Sequence, residues 1–219
     1  ELDLVRLAAL HLVGASPTPT QYQRLLDRLI AVFNAARSPV AARWALELTD
    51  GIMAVPCRSE EALVRWRILV FEAANEMRSR LGTVQRTLLR ILAAESGFEL
   101  ALSADSTDAD HPALTVEMTK RVLIYSLDKH ATQRAAMTLK DLFPLGRFET
   151  NDDETCTTRL KSGAGMADWV VFVSSVATHQ AFFCIKAALQ GQTEFLQVQG
   201  SGTTRIIECV VNKTQKIFA

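Results

Sequence analysis

Three polar clusters in the second half of the chain have the residue types and positions to bind or transform a ligand. They are Ser126-Leu-Asp128-Lys129-His130, Ser174-Ser175 with Thr178-His179, and Gly200-Ser201-Gly202-Thr203-Thr204. Each follows a short apolar run and precedes a stretch with helical spacing, which is where the loops of a parallel α/β sheet carry functional groups. Glycines free the backbone N–H groups at a helix start, so the third cluster is a candidate anion cradle. The same glycines, serines and threonines also suit plain turns and helix caps, and the residue types alone do not choose between the two uses.

Established catalytic signatures do not fit these clusters. After the first apolar run the chain reads Asp128-Lys-His-Ala-Thr132, not Gly-x-Gly-x-x-Gly, and a Gly-x-x-x-x-Gly-Lys-Ser/Thr phosphate loop is missing too. Phe172-Val-Ser-Ser-Val176 lacks the glycines of a nucleophile elbow. His179 with Ser174 or Ser175 and Asp128 could be assembled into a triad, but polar residues at adjacent strand ends offer that combination generically. Asp128 is similar to the phosphate-accepting aspartate of signalling receiver domains. Those domains also need an acidic pair there and an aspartate after the third strand, where this chain has serines. We assign no catalytic residue, no cofactor and no metal; whether the module is an enzyme stays open.

The elements that must position these groups are short strands. Arg121–Leu127 (RVLIYSL) and Trp169–Ser174 (WVVFVS) are nearly unbroken apolar runs, as expected of strands buried on both faces, and Phe195–Val198 is a third of the kind. Gly146–Thr150 is a short further candidate, second in order, followed by an acidic turn at Asn151–Glu154. Thr155–Lys161 reads as a short helix at best, with Gly163 and Gly165 marking the return to the next strand. Four strand–helix units predict a three-layer Rossmann-like or flavodoxin-like module. If the strand order is 2-1-3-4, the reversal point opens a crevice between the first and third strand ends, flanked by the first two clusters.

The first half is helical. Proline follows serine or threonine at Thr18-Pro19 and Ser38-Pro39, the pattern of an N-cap and first helical residue, and Ser59-Glu-Glu61 opens another helix. Apolar stripes at helical spacing predict five helices, hence a bundle, with Gly82 ending the fourth. Phe98–Leu102 suits either a short strand or a frayed helix end. The basic residues of this half are all arginines, and Arg78, Arg80, Arg86 and Arg90 are the nucleic-acid candidates because two helices meet there. Nearby acids nearly balance the arginines, which suits ion pairs within the fold.

We expect a helical bundle domain at 1–102, an acidic linker at 103–117 and the α/β module at 118–219. The polar stretch Ser103–Pro112 carries Asp105, Asp108, Asp110 and His111, but it matches no calcium-loop or zinc spacing. Of 219 residues, 48% are hydrophobic and 22% charged, and the formal net charge is zero, so nothing global argues for a nucleic-acid or membrane partner. No apolar run is long enough to span a bilayer, and no secretory signal is visible. Cys57, Cys156, Cys184 and Cys209 are widely spaced and read as buried thiols in a reducing, cytoplasmic compartment. The chain opens on Glu1, and we expect a piece of a longer protein.

Arg121-Val-Leu-Ile-Tyr-Ser126, Ala167-Asp-Trp-Val-Val-Phe-Val173, His179, Lys186 and the Gly200-Ser-Gly202 turn together resemble a bacterial family of small Rossmann-like domains of unknown function. The resemblance covers roughly the last hundred residues and leaves the helical half unrecognised. In that family the third strand leads to a serine-histidine pair, where this chain has Thr178-His179. A polar pair, often Gly-Gly, follows the first strand, where this chain has Leu127-Asp128. The resemblance implies a strand-end ligand site and carries no activity.

The leading expectation is a noncatalytic accessory or scaffold protein, with a protein partner or a second copy and a small anionic ligand at the strand ends. An apolar interface could involve Trp44, Trp66 or Phe71. The alternatives are a nucleotide-binding regulatory or enzymatic module using 128–130, 178–179 and 200–204, and a nucleic-acid-binding protein acting through the helical arginines.

Overall fold

A computed structural model describes residues 2–100, 117–198 and 202–218. The chain divides into two compact units, residues 1–110 and 111–219. The expected linker lies outside the described residues apart from Glu117, and so do Asp105, Asp108, Asp110 and His111.

The first unit is a helical bundle of α1 (Leu2–Gly14), α2 (Pro19–Ala35), α3 (Pro39–Met53), α4 (Glu60–Glu76) and α5 (Thr83–Glu95), with a 3-10 turn at Arg78–Arg80 before α5. Thr18 begins α2 with a capping box: its hydroxyl accepts from Gln21 N–H at 3.3 Å, and the Gln21 side chain accepts from Thr18 N–H at 2.9 Å. Tyr22, Leu26, Leu29 and Phe33 then repeat every three or four residues and are buried. Helix α3 is buried on most of its surface and packs on α1, α2, α4 and α5, which makes it the central helix. Trp66 of α4 lies fully buried with Phe33 and Trp44 edge-on at 6.3 Å. Its indole N–H donates to Thr49 Oγ1 at 2.9 Å, and that hydroxyl donates to Ala45 O at 2.7 Å, so the polar atom is satisfied inside the core.

Trp44, Trp66 and Phe71 are therefore core residues and offer no interface; among the described residues of this unit the exposed leucines are Leu4, Leu7 and Leu12 on α1. Gly82 does not end α4, which stops six residues earlier at Glu76; it stands at the N-cap of α5 in extended backbone. A Cβ at Gly82 would lie 2.6 Å from Gln85 Oε1, so glycine lets the Gln85 side chain fold back over the helix start. Helix α5 ends at Glu95 with Ser96 as its C-cap, and Gly97 follows with a left-handed φ of 65°. Gly97 N–H bonds Ala94 O at 3.1 Å and Phe98 N–H bonds Ala93 O at 2.9 Å, closing the last carbonyls. Phe98 thus leaves the helix and packs on Phe71, forming neither a strand nor a further helical turn.

The second unit is a four-stranded parallel sheet in the order β2-β1-β3-β4, with β1 Arg121–Tyr125, β2 Arg147–Asn151, β3 Trp169–Val173 and β4 Glu194–Val198. Helices α6 (Lys129–Leu142), α7 (Thr158–Met166), α8 (His179–Ala188) and α9 (Thr203–Phe218) complete a Rossmann-like module, α6 packing with α9 and α7 with α8. Both central strands are buried along almost their whole length, as their unbroken apolar runs require, while β2 and β4 at the edges alternate or stay partly exposed. Leu123, Tyr125, Val170 and Phe172 share one core with Leu160, Ala164, Ala181 and Ile185 of α7 and α8. Asp168 fixes the register at the strand starts: its carboxylate accepts from Arg121 N–H at 2.7 Å, its N–H donates to Arg121 O at 2.8 Å, and its carbonyl accepts from Glu194 N–H at 2.9 Å.

Two expectations for this unit are corrected. Gly163 and Gly165 lie inside α7 and do not mark a return loop. Cβ atoms there would sit 3.5 Å from Leu123 and 3.4 Å from Ala188 O, ordinary contact distances, so α7 lies against β1 and α8 at these positions. The cysteines are not four buried thiols: Cys156 and Cys184 form a disulfide, Cys57 is exposed, and Cys209 is half-buried, its thiol pushed up by burial. Sequence spacing could not pair two cysteines separated by 28 residues that meet only once α8 stands beside the β2–α7 loop.

Candidate functional site at the strand ends

The 2-1-3-4 order places the reversal between β1 and β3, and the two loops meet there: Leu127 N–H donates to Val176 O at 3.0 Å. That bond ties the β1–α6 loop to the turn that follows β3. Ser126 is buried; its N–H extends the ladder to Asn151 O at 3.2 Å, and its hydroxyl accepts from Asp128 N–H at 3.1 Å. Asp128 caps α6, its carboxylate accepting from Ala131 N–H at 3.0 Å. Lys129 and His130 follow in the first turn of α6 and are exposed.

On the β3 side, the Ser174 hydroxyl donates to Val198 O at 3.1 Å, and Ser175 is exposed in a 3-10 turn at Ser174–Val176. A triad serine would donate to its histidine, so Ser174 is not set for nucleophilic attack. Thr178 caps α8 by accepting from Ala181 N–H at 3.0 Å, and it donates to Glu154 O at 2.6 Å. His179 starts α8 and is exposed. Gly200 and Ser201 lie outside the described residues. Gly202 has a φ of 136°, a backbone that favours glycine, and Thr203 beside it is fully buried with its hydroxyl 3.5 Å from Ala131 O, joining the starts of α9 and α6.

Sequence reasoning missed the loop after β2. Asp153 is its hub: Asn151 Nδ2 and Thr157 Oγ1 donate to Oδ2, and Arg159 reaches both carboxylate oxygens, at 2.6 and 3.2 Å. The Arg159 guanidinium, then the Thr157 and Asn151 bonds, hold the Asp153 carboxyl well below the ordinary carboxylate range. Arg159 also reaches Asp152 at 3.0 Å. The Tyr125 hydroxyl donates to Asp153 O at 3.0 Å while its ring stacks on Phe172, centroids 5.3 Å apart; burial pushes that phenol up. The available signal was Asn151-x-Asp153, a pattern suited to an Asx turn, with a cap residue and an arginine downstream.

Among the described residues, no group of three His, Cys, Asp or Glu side chains is placed to hold a metal ion. In the helical unit Arg78 and Arg80 lie in the 3-10 turn, and Arg86 and Arg90 stand one helical turn apart on α5. Arg86 donates to Thr83 Oγ1 at 3.4 Å. Elsewhere Arg37 pairs with Glu76, Arg43 with Glu47, Arg65 with Asp27 and Glu61, and Arg67 with Glu60.

A family model described as DpdD-like matches residues 1–209. The chain belongs to the DpdD-like family. That match runs through the helical unit as well as the sheet, so the expectation that only the last hundred residues fall within a family, with the helical half outside it, is overturned. The Rossmann-like resemblance rested on strand and turn features, which the helical half lacks. No curated protein and no solved structure matches the chain. Among the described residues, no helix of this DpdD-like chain is long and apolar enough to cross a membrane.

Proposed function

We propose that this DpdD-like chain is a noncatalytic, cytoplasmic accessory protein that takes a small anionic ligand at the C-terminal edge of its sheet and a protein partner at its helical unit. One observation carries the reading: Asp128, Ser174 and Thr178 are used in caps and loop bonds, while Lys129, His130 and His179 stand exposed beside them. Asp128 and Thr178 accept from helix amides and Ser174 donates to a carbonyl, whereas Lys129, His130 and His179 are exposed at the starts of α6 and α8. Helix N-termini favour negative charge, the Lys129 ammonium adds to that field, and the two imidazoles offer N–H donors.

The exposed Leu4, Leu7 and Leu12 of α1 support the protein partner. A catalytic nucleotide module would need Lys129 and His179 turned inward, and both are exposed; a nucleic-acid surface would need the helical arginines clustered on one side, and Arg37, Arg43, Arg65 and Arg67 pair with acids instead. The test is a thermal-shift screen of the whole chain against pyrophosphate, nucleotides and a DNA oligonucleotide, with turnover followed in parallel. Stabilisation by phosphate-bearing small molecules without turnover supports the reading. Turnover, or stabilisation by the oligonucleotide alone, contradicts it.

A further inference from the structure

The Cys156–Cys184 bond joins a loop of fixed shape to a helix beside it. The loop keeps its shape through its own contacts: Asp153 N–H bonds the Asn151 side chain at 2.9 Å, Arg159 grips Asp152 and Asp153, and Thr157 caps α7 by accepting from Leu160 N–H at 3.0 Å. What the disulfide adds is attachment. It ties the loop to α8 beside two single hydrogen bonds, Thr178 Oγ1 to Glu154 O and Tyr125 hydroxyl to Asp153 O.

The two cysteines sit in unlike places. Cys156 is exposed, while Cys184 is 6% exposed within the apolar cluster of Leu160, Ala164, Ala181 and Ile185. A neutral thiol is at home in such a cluster, and a solvated thiol at Cys156 costs nothing in packing, so the reduced form is compatible with the same fold. Access is one-sided, through Cys156.

We propose that Cys156–Cys184 is a reducible clasp that a dithiol reductant opens, releasing the 152–157 loop from α8 while the sheet stays folded. A thiolate of the reductant attacks Cys156 Sγ; the S–S bond breaks and Cys184 leaves as a thiolate that takes up a proton. The second thiol of the reductant then attacks its own sulfur in the mixed disulfide and releases Cys156, also protonated. The reductant ends as a disulfide, and two electrons and two protons have passed to the protein. Released, the loop no longer holds Thr178 at the start of α8, and the edge between β1 and β3 changes its access.

The test uses the full chain carrying Cys57→Ser and Cys209→Ala, so that only this pair can respond. After mild oxidation, mass spectrometry should find a peptide cross-linked between 156 and 184. Dithiothreitol should then raise amide exchange in residues 152–157 and 178–185 by about tenfold or more, leave α6 and α9 unchanged, and be reversed by reoxidation. Cys156→Ser, a change at an exposed position, should show the open pattern without reductant. Full alkylation of both thiols under oxidising conditions, equal exchange in both forms, or loss of protection throughout the α/β unit would each overturn the proposal.

Discussion

In the helical unit Arg37, Arg65 and Arg67 reach acids on neighbouring turns or helices, above buried stripes that end on a satisfied Trp66. In the α/β unit Lys129, His130 and His179 stand exposed at helix starts, and the acids of the β2–α7 loop are gripped by Arg159. The first arrangement uses charge to dress a packed scaffold, where exposed pairs add little stability. The second leaves a lysine and two histidines exposed at the edge of the sheet where α6, α7, α8 and α9 begin, each after a parallel strand.

The largest effect expected from that contrast is in the helical core. Trp66→Ala removes one of the two buried tryptophans among the largest core side chains and takes away the donor to Thr49, and should cost about 3–5 kcal/mol of unfolding free energy, measured by urea denaturation. A loss below about 1 kcal/mol would mean that the bundle does not rest on this packing. Asp153→Ala comes next. It removes the hub of the β2–α7 loop, but Arg159 is largely solvated, so a loss of about 1–2 kcal/mol is expected, with increased exchange confined to residues 151–160.

Acid should act on the same carboxylate. The Asp153 pKa is lower folded than unfolded, so its contribution is fully present above the unfolded value of about 4 and is lost as pH falls through the folded value. Exchange-protected loop amides should thus persist at pH 4 and disappear only in stronger acid; loss of protection already above pH 5 would show that another group controls the loop. Lys129→Glu should have the smallest effect on stability, within about 0.5 kcal/mol in the same urea assay, because the side chain is exposed. A larger loss would move Lys129 from the ligand surface into the scaffold.

The central strands were legible because continuous apolar runs such as Arg121–Leu127 and Trp169–Ser174 suit only strands covered on both faces. The 2-1-3-4 order entered only as a condition, since crossover handedness does not select it, whereas the Thr18-Pro19 and Ser38-Pro39 helix starts followed from cap chemistry. The β2–α7 loop was not legible. Its bonds depend on α7 beginning at Thr158 and running through Gly163 and Gly165, two glycines that read as a turn until the closeness of Leu123 and Ala188 is known. The disulfide escaped for a similar reason, since it depends on which loop lies beside α8. Asp128 and Thr178 lie just beyond the ends of β1 and β3, but whether such residues cap helices or meet a ligand is a matter of side-chain direction, which residue types do not encode.

The most direct test of the strand-end account is a two-dimensional amide NMR titration of the whole chain with pyrophosphate. The account predicts saturable shifts centred on residues 127–131 and 178–181, abolished by Lys129→Glu together with His179→Glu, with the probe left intact. Shifts confined to the helical unit, no shifts at millimolar probe, or hydrolysis of the probe would contradict it.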